Sequence, residues 1–494
     1  ALNQMVITYP VLIITLVLAD CIHLFAIYFQ ERNRGETSKN SMIKSLELNL
    51  QLLFLTTVTT CIGFLSFNAL DVEPLRDLGN GISIGVLFAF FYTIFFIAPL
   101  ISFLEIKIPT STQQQVNLSR KLAIFSLSSG KTFLWTIPLI CFLLILLIPL
   151  NKLEMNPTQM YSEKYTSFGP DVLWLDKKLG ASFPISFKAT SENGSVSNPR
   201  FLEGLDNFSI WLEKQKEVTH VTSLARTMKS LNKSMHGDDL KMKVIPEDQE
   251  LSSQYLFFYE MSLPMGLDLN TSISQDRGST RIAATLREMT SKEYLIFDKK
   301  VSTYLRDNNL ESTISKPAGF RVIFVYLMEA VVNSLLIGVT IGMALIITVI
   351  GFFFRSAYFG FLSSFPNILP IVSAFGIWAI IDGQIDFMVA VGMGSTLGII
   401  VDFTVHLLSK YDLARQELNK SPEDAVLYAF EAVGFALIAM TFILALGFSV
   451  LHLVSFLPMH NFAQFSILAF VFALIIDFFL FPNLLIRFDK RKFD

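Results

Sequence analysis

A polytopic α-helical membrane bundle interrupted by one soluble α/β segment is the fold class this sequence predicts, and three observations predict it. Of its 494 residues 52% are hydrophobic and only 16% charged, with a positive mean hydropathy, which lies outside the range of soluble domains. Nine apolar runs are each long enough to cross about 30 Å of hydrocarbon. The chain also repeats itself over about ninety residues, as repeat-built membrane proteins do.

In chain order the apolar runs cover 5–28, 48–68, 79–104, 132–151, 331–354, 358–381, 385–409, 434–456 and 461–486. Their direction follows from the basic residues. Arg32, Arg34, Lys39 and Lys44; Lys107, Arg120, Lys121 and Lys131; Lys410, Arg415 and Lys420; and Arg487, Lys490, Arg491 and Lys492 mark one side. The turns at Asp71–Asp77, Asp382–Asp386 and Phe456–Asn461 hold one basic residue, Arg76, among them. Positive-inside logic places the first set in the cytoplasm, with 105–131 a cytoplasmic linker, 152–330 outside and the carboxyl end inside. The connections 36–47 and 421–433 read as amphipathic helices; Ser421 before Pro422 is a helix start.

The segment 152–330 has soluble composition. Strands are expected at Ile185–Thr190, Thr219–Leu224, Thr280–Arg287 and Leu310–Ser315, with helices at Pro199–Lys216 and Ser291–Asn308. Two strand-helix-strand units at this spacing suit a split βαβ, ferredoxin-like layer. His220 and His236 stand alone there and read as solvated surface. No nucleophile elbow, phosphate loop or metal-ligand cluster appears, so an enzyme is not expected. The near-neutral net charge of -3 gives no sign of nucleic-acid binding. Cys21, Cys61 and Cys141 all fall in apolar runs, where none can staple the polar segment.

The chemistry sits where lipid should be. Asp402 and His406 are four residues apart, on one helical face and about one turn of roughly 5.4 Å from each other. A carboxylate at membrane depth costs about 2.5 to 3.5 kcal/mol on insertion scales and usually marks an ion or proton path. A copy stands near the start: an offset of 383 pairs Met5 and Val6 with Met388 and Val389, and His23 and Tyr28 with His406 and Tyr411. Asp20 supplies the acid three residues before its histidine, with Ala19 at the position of Asp402. At an offset of 384 the pairing continues through Glu47 and Glu431, Thr57 and Thr441, Gly63 and Gly447, Pro74 and Pro458, and Phe95 and Phe479. The second copy has a long stretch before its histidine that the first lacks, so the chain is expected to be the carboxyl-terminal portion of a longer protein.

A buried carboxyl favours its neutral form and an imidazole titrates near neutrality, so an acid and a histidine in contact form a proton relay. Asp402, His406, Asp20 and His23 are the expected relay, with Asp477, Glu47 and Glu431 as accessories. A permanently paired polar lock between helices is the plainer alternative. Pro366 and Pro370 should bend their helix, with Asn367 satisfying freed backbone groups. No cofactor and no metal are expected, protons being the coupling ion.

Gly398-x-x-x-Asp402, His406-Leu-Leu-x-x-Tyr411 and Pro366-Asn-Ile-Leu-Pro370 resemble exporters of the resistance-nodulation-division superfamily, in the branch with the mycobacterial membrane protein large group and hopanoid-type lipid exporters. The resemblance implies a twelve-helix fold with two external porter domains. Residues 1–104 would then be the last three helices of the first, sterol-sensing-like repeat, and 132–151 the first helix of the second. Residues 152–330 would be a periplasmic porter domain, and 331–494 five helices and a cytoplasmic tail. It implies proton-driven export of hydrophobic or lipid-like cargo from a bacterial inner membrane, with membrane lipids and a periplasmic carrier or a second copy as partners, and Asp402 as the proton carrier. Phe403 stands where the mycobacterial group commonly has tyrosine, and no lysine falls within the two acid-bearing runs as bounded above. Other classes in the same superfamily leave two alternatives, a Patched-like lipid receptor and an accessory motor for protein translocation.

Overall fold

The structure, a computed structural model, describes residues 8–69, 72–104, 106, 112–154, 160, 167–179, 183–264, 268–287 and 289–489. Met5, Val6, Asp71, Lys107, Lys490, Arg491 and Lys492, used in the sequence reading, lie outside the described residues. The chain divides into two compact units, Ala1–Leu153 with Glu329–Asp494, and Glu154–Met328; the expected soluble segment was 152–330.

Among the described residues nine helices are long and apolar enough to cross a membrane. Their regular portions are α1 (Thr8–Asn33), α2 (Ser38–Leu65), α3 (Glu73–Tyr92), α4 (Gly130–Ile145), α5 (Phe320–Phe353), α6 (Ala357–Ile381), α7 (Phe387–Gln416), α8 (Phe435–Ser449) and α9 (Leu457–Phe479). The segment 36–47 is not a separate amphipathic helix. Nothing between the Thr37 cap and Leu65 breaks the backbone, so it forms the first turns of α2. The equivalent piece Pro422–Ala429, capped by Ser421, runs into α8 through a π-turn at Phe430–Gly434. A helix at Thr112–Ser128 occupies the expected linker.

Burial separates centre from rim. Almost every residue of α7 from Phe387 to Leu408 is buried, whereas α4 exposes Trp135, Leu139 and Leu143, as suits a helix whose outer solvent is lipid. Small residues bring the central helices together. A Cβ on Gly63 would lie 2.6 Å from the Gly398 Cα, and one on Gly447 would lie 2.4 Å from the Thr15 Oγ1. These contacts are repeat mates: the offsets that carry Gly63 to Gly447 carry Thr15 to Gly398. The duplication is therefore present in the packing, with α2 against α7 mirrored by α8 against α1. Gly63→Val is expected to cost about 1 to 3 kcal/mol by overpacking, because backbone rather than a movable side chain blocks it; thermal unfolding in detergent reads this as a lowered midpoint.

In the second unit β1 (Phe183–Thr190), β2 (Val218–Thr222) and β3 (Ser279–Leu286) form an antiparallel sheet in the order β1-β3-β2. Ile185, Phe187, Val221, Ile282 and Ala284 point into a core closed by Phe208 and Phe297. These last two belong to the helices Pro199–Glu213 and Ser291–Asp307, the second opened by a capping box of Thr290 and Glu293. The strand expected at Leu310–Ser315 is not formed. The Thr313 and Ile314 N–H groups turn back to the Leu310 carbonyl. Beyond it only two isolated bridges, Ala189 with Ile314 and Ser186 with Ala318, reach β1. Their register slips by one residue across Pro317, which has no N–H to give. His220 and His236 are both exposed.

Candidate functional site at the centre of the bundle

Asp386 anchors the start of α7. Its Oδ1 accepts the N–H groups of Met388 and Val389, each at 2.8 Å, and its Oδ2 accepts from the Asn461 side chain at 2.8 Å. Burial pushes its carboxyl up to about 6 against the pull of those three donors. Its neutral form is then the stabilised one in the folded state. That contribution is complete below about pH 4 and is lost as the pH rises through about 6. Asp386→Asn is expected to flatten that loss, worth roughly 2 to 3 kcal/mol, when melting is followed across this pH range.

From there α7 presents two polar faces. On one, Gly398, Asp402, His406 and Lys410 follow at one-turn spacing. Gly398 lets α2 approach, and the Thr60 hydroxyl donates to the Gly398 carbonyl at 3.0 Å. Across from this face α1 brings Asp20 and His23, and all four expected relay residues are buried. The two imidazoles stack, with centroids 3.5 Å apart and ring planes within 4°. Because His23 and His406 are repeat mates, this contact joins equivalent points of the two halves. Asp20 lies near enough to Asp402 for their charges to interact, and Thr60 sits beside the Asp402 carboxyl.

The expected pairing of acid with imidazole is corrected in one respect. No hydrogen bond or ion pair joins a carboxyl to an imidazole among these four residues; histidine meets histidine. Spacing of four residues fixes the face two side chains share but not their rotamers, and here the rings turn toward each other. Both nitrogens of His23, the Nδ1 of His406 and the Oδ1 of Asp402 are buried and hydrogen-bonded to no protein atom. A buried polar group without a partner costs about 1 to 3 kcal/mol, and four in one place mark a centre built for something other than packing.

The opposite face of α7 carries Thr404. Its hydroxyl lies 3.1 Å from the Asp477 Oδ1 on α9 and 3.2 Å from the Asn367 Oδ1 on α6. Asp477 thus joins a polar network, but one separated from the stacked histidines by α7 itself. Asn367 donates to the Ser363 carbonyl at 2.7 Å, not to the carbonyls of Leu362 and Pro366 that Pro366 and Pro370 leave unpaired; α6 continues helically through both prolines. The mates of Thr404 and Asp477 in the first half are Cys21 and Thr93, which lie beside each other. Only the second half places a carboxyl there.

The remaining accessory candidates part company. Glu431 is half-buried with its Oε1 3.5 Å from the Arg120 Nε, while Glu47 is exposed. Sequence reasoning missed Lys410. Hydropathy ends the seventh span at 409, yet the helix runs to Gln416 and holds Lys410 at 2% exposure. A lysine does therefore lie within this helix, one turn beyond His406.

Two related halves, nine long apolar helices among the described residues and a buried centre of carboxyls and imidazoles at their meeting define a repeat-built polytopic membrane protein. The chain belongs to the MMPL family, whose model matches residues 203–491. It is similar to the Methanocaldococcus jannaschii protein MJ1562, named as a membrane protein, at 26% identity over 151 residues, 30% of this chain and 38% of that one. The crystal structure of SecDF in its super-membrane-facing form shares the fold. Its TM-score is 0.51 at 10% identity, over 98% of this chain and 54% of the SecDF chain. The chain thus spans about half the length of SecDF and 38% of the length of the archaeal relative.

Proposed function

We propose that this chain is the working part of a proton-motive-force-driven exporter that moves hydrophobic or lipid-like molecules across, or out of, a bacterial inner membrane. The observation that carries the reading is the stack of His23 on His406 with Asp20 and Asp402 beside it: titratable groups from two repeats, buried together, at the place where coupling-ion sites of repeat transporters lie. Protons are the coupling ion, and no other cofactor is needed.

The basic residues at one end of the helices support a cytoplasmic position for that end and a periplasmic one for residues 152–330. The order of β1, β3 and β2 with the bridged edge segment beside β1 supports a ferredoxin-like split βαβ layer, and in this reading the unit acts as a porter domain for the cargo. Membrane lipids surround the bundle, and a periplasmic carrier or a second copy receives what it moves. The full-length protein in liposomes should acidify the lumen under an imposed proton gradient and release a fluorescent lipid analogue to an acceptor. A protonophore should stop that release, and undiminished release after the gradient is collapsed would overturn the reading.

A further inference from the structure

Lys410 is a charged side chain with no evident reason to be buried. Its Nζ makes one long hydrogen bond, 3.4 Å to the Leu48 carbonyl. Its charge reaches both imidazoles of the stack. On its other side is a cavity of about 450 Å³ whose wall includes Lys410 itself, Gln30, Glu31, Arg34, Tyr428 and Glu431. Lys44 also borders this space, and the exposed Arg34 and Lys44 carry it to the basic end of the bundle. Glu31 is almost fully buried there, holding Arg34 at 2.6 Å and Lys44 at 2.7 Å.

A lysine buried merely for packing would extend its stem along apolar surface and place its ammonium in water. Lys410 instead stands between a buried pair of histidines and a chamber lined by charge. Its mate in the first half, by the offset that joins the histidines, is Ile27, so this connection is made once and from one half only.

Resting on the proton-coupled reading above, we infer that Lys410 is the proton-transfer residue linking the His23–His406 stack to the cavity at the basic end. An imidazolium of the stack gives its ring proton to the Lys410 amine, leaving neutral imidazole and an ammonium. The ammonium gives one proton to water in the cavity and returns to the amine, and Glu31 holds the departing positive charge near the exit. Tyr428 and Glu431 line the same cavity. The flow ceases if the residue cannot change its protonation state, which separates lysine from arginine, whose guanidinium keeps its proton.

Proton flux into liposomes holding the full-length protein, read with an entrapped pH dye under an imposed gradient, tests this. Wild type is compared with Asp402→Asn, Lys410→Arg, Lys410→Met and Lys410→Ala, each taken as the monodisperse fraction. Both Lys410→Arg and Lys410→Met are expected to lose about tenfold or more of the flux, and methylamine should restore part of it to Lys410→Ala in proportion to its concentration. Wild-type flux in Lys410→Arg would mean that a fixed charge suffices and would overturn the transfer role. Wild-type flux in both Lys410→Arg and Lys410→Met, with Asp402→Asn inactive, would overturn the inference and leave the proposed function standing. Equal flux in all variants, Asp402→Asn included, would remove both.

Discussion

Replacing Asp402 by Asn is expected to lower proton-coupled transport by about 10² to 10⁴-fold, the range seen when a positioned proton-transfer group is removed, while the protein still folds and inserts. Asparagine fills the same volume and keeps a polar tip beside Thr60, so the packing of α2 on α7 through Gly63 and Gly398 should survive. What disappears is the ability to take up and release a proton. The Oδ1 of Asp402 makes no hydrogen bond to protein, and the asparagine side chain can keep the carboxyl's contact with Thr60. Asp20→Asn sharpens the test. Asp20 belongs to the other half and is displaced by one position from the mate of Asp402, so a much smaller loss there would assign the carrier role to the second half alone. Flux and export should be measured together on material whose melting midpoint matches wild type; unchanged rates in Asp402→Asn would end the case for this centre as the coupling site.

Much of that centre was legible because membrane burial makes polar residues conspicuous. Asp20, His23, Asp402, His406 and Asp477 stood out against apolar neighbours, and the internal offsets told which of them should meet. The packing of Gly63 on Gly398 and of Thr15 on Gly447 follows from the same offsets. What spacing does not encode is rotamer choice, so the ring-on-ring contact of His23 with His406 was not foreseen. Hydropathy also cannot distinguish a lysine that ends a span from one drawn inside it, because the difference is made by neighbouring helices; α2 and its Leu48 carbonyl cover Lys410. The polar triad of Asn367, Thr404 and Asp477 needs three helices that are distant in sequence; Asp477 was named as an accessory and Asn367 only for the backbone beside the prolines, while Thr404 gave no signal. In the second unit, periodicity found three strands and two helices. It misjudged the fourth because the turn after Asn309, in the left-handed region at φ 56, consumes the residues that should have begun it.

The largest loss of stability is expected at the far end of α7, in Arg415→Leu, at about 3 to 5 kcal/mol. The Arg415 Nε lies 3.0 Å from the Asp489 Oδ2, with side chains only 6% and 1% exposed. The same Asp489 oxygen accepts the Tyr411 hydroxyl at 2.8 Å, and a second Arg415 nitrogen donates to the Lys420 carbonyl at 2.5 Å. Removing the guanidinium takes the Arg415 counter-charge from a carboxylate whose side chain is almost fully buried, with the Tyr411 hydroxyl still donating to it, and breaking a buried pair costs far more than an exposed pair is worth. The double variant Arg415→Leu with Asp489→Leu should recover most of the loss, since two apolar side chains then share the site. A double-mutant cycle on detergent-solubilised protein would measure the coupling. If both single changes fall within about 0.5 kcal/mol of wild type, as surface substitutions do, this pair is not what holds the carboxyl-terminal end to α7. Because α7 also carries Asp402, His406 and Lys410, the cycle bears on function too. A loosened end should weaken proton coupling in Arg415→Leu and restore it in the double variant, whereas a direct role for the guanidinium in proton movement would leave the double variant inactive.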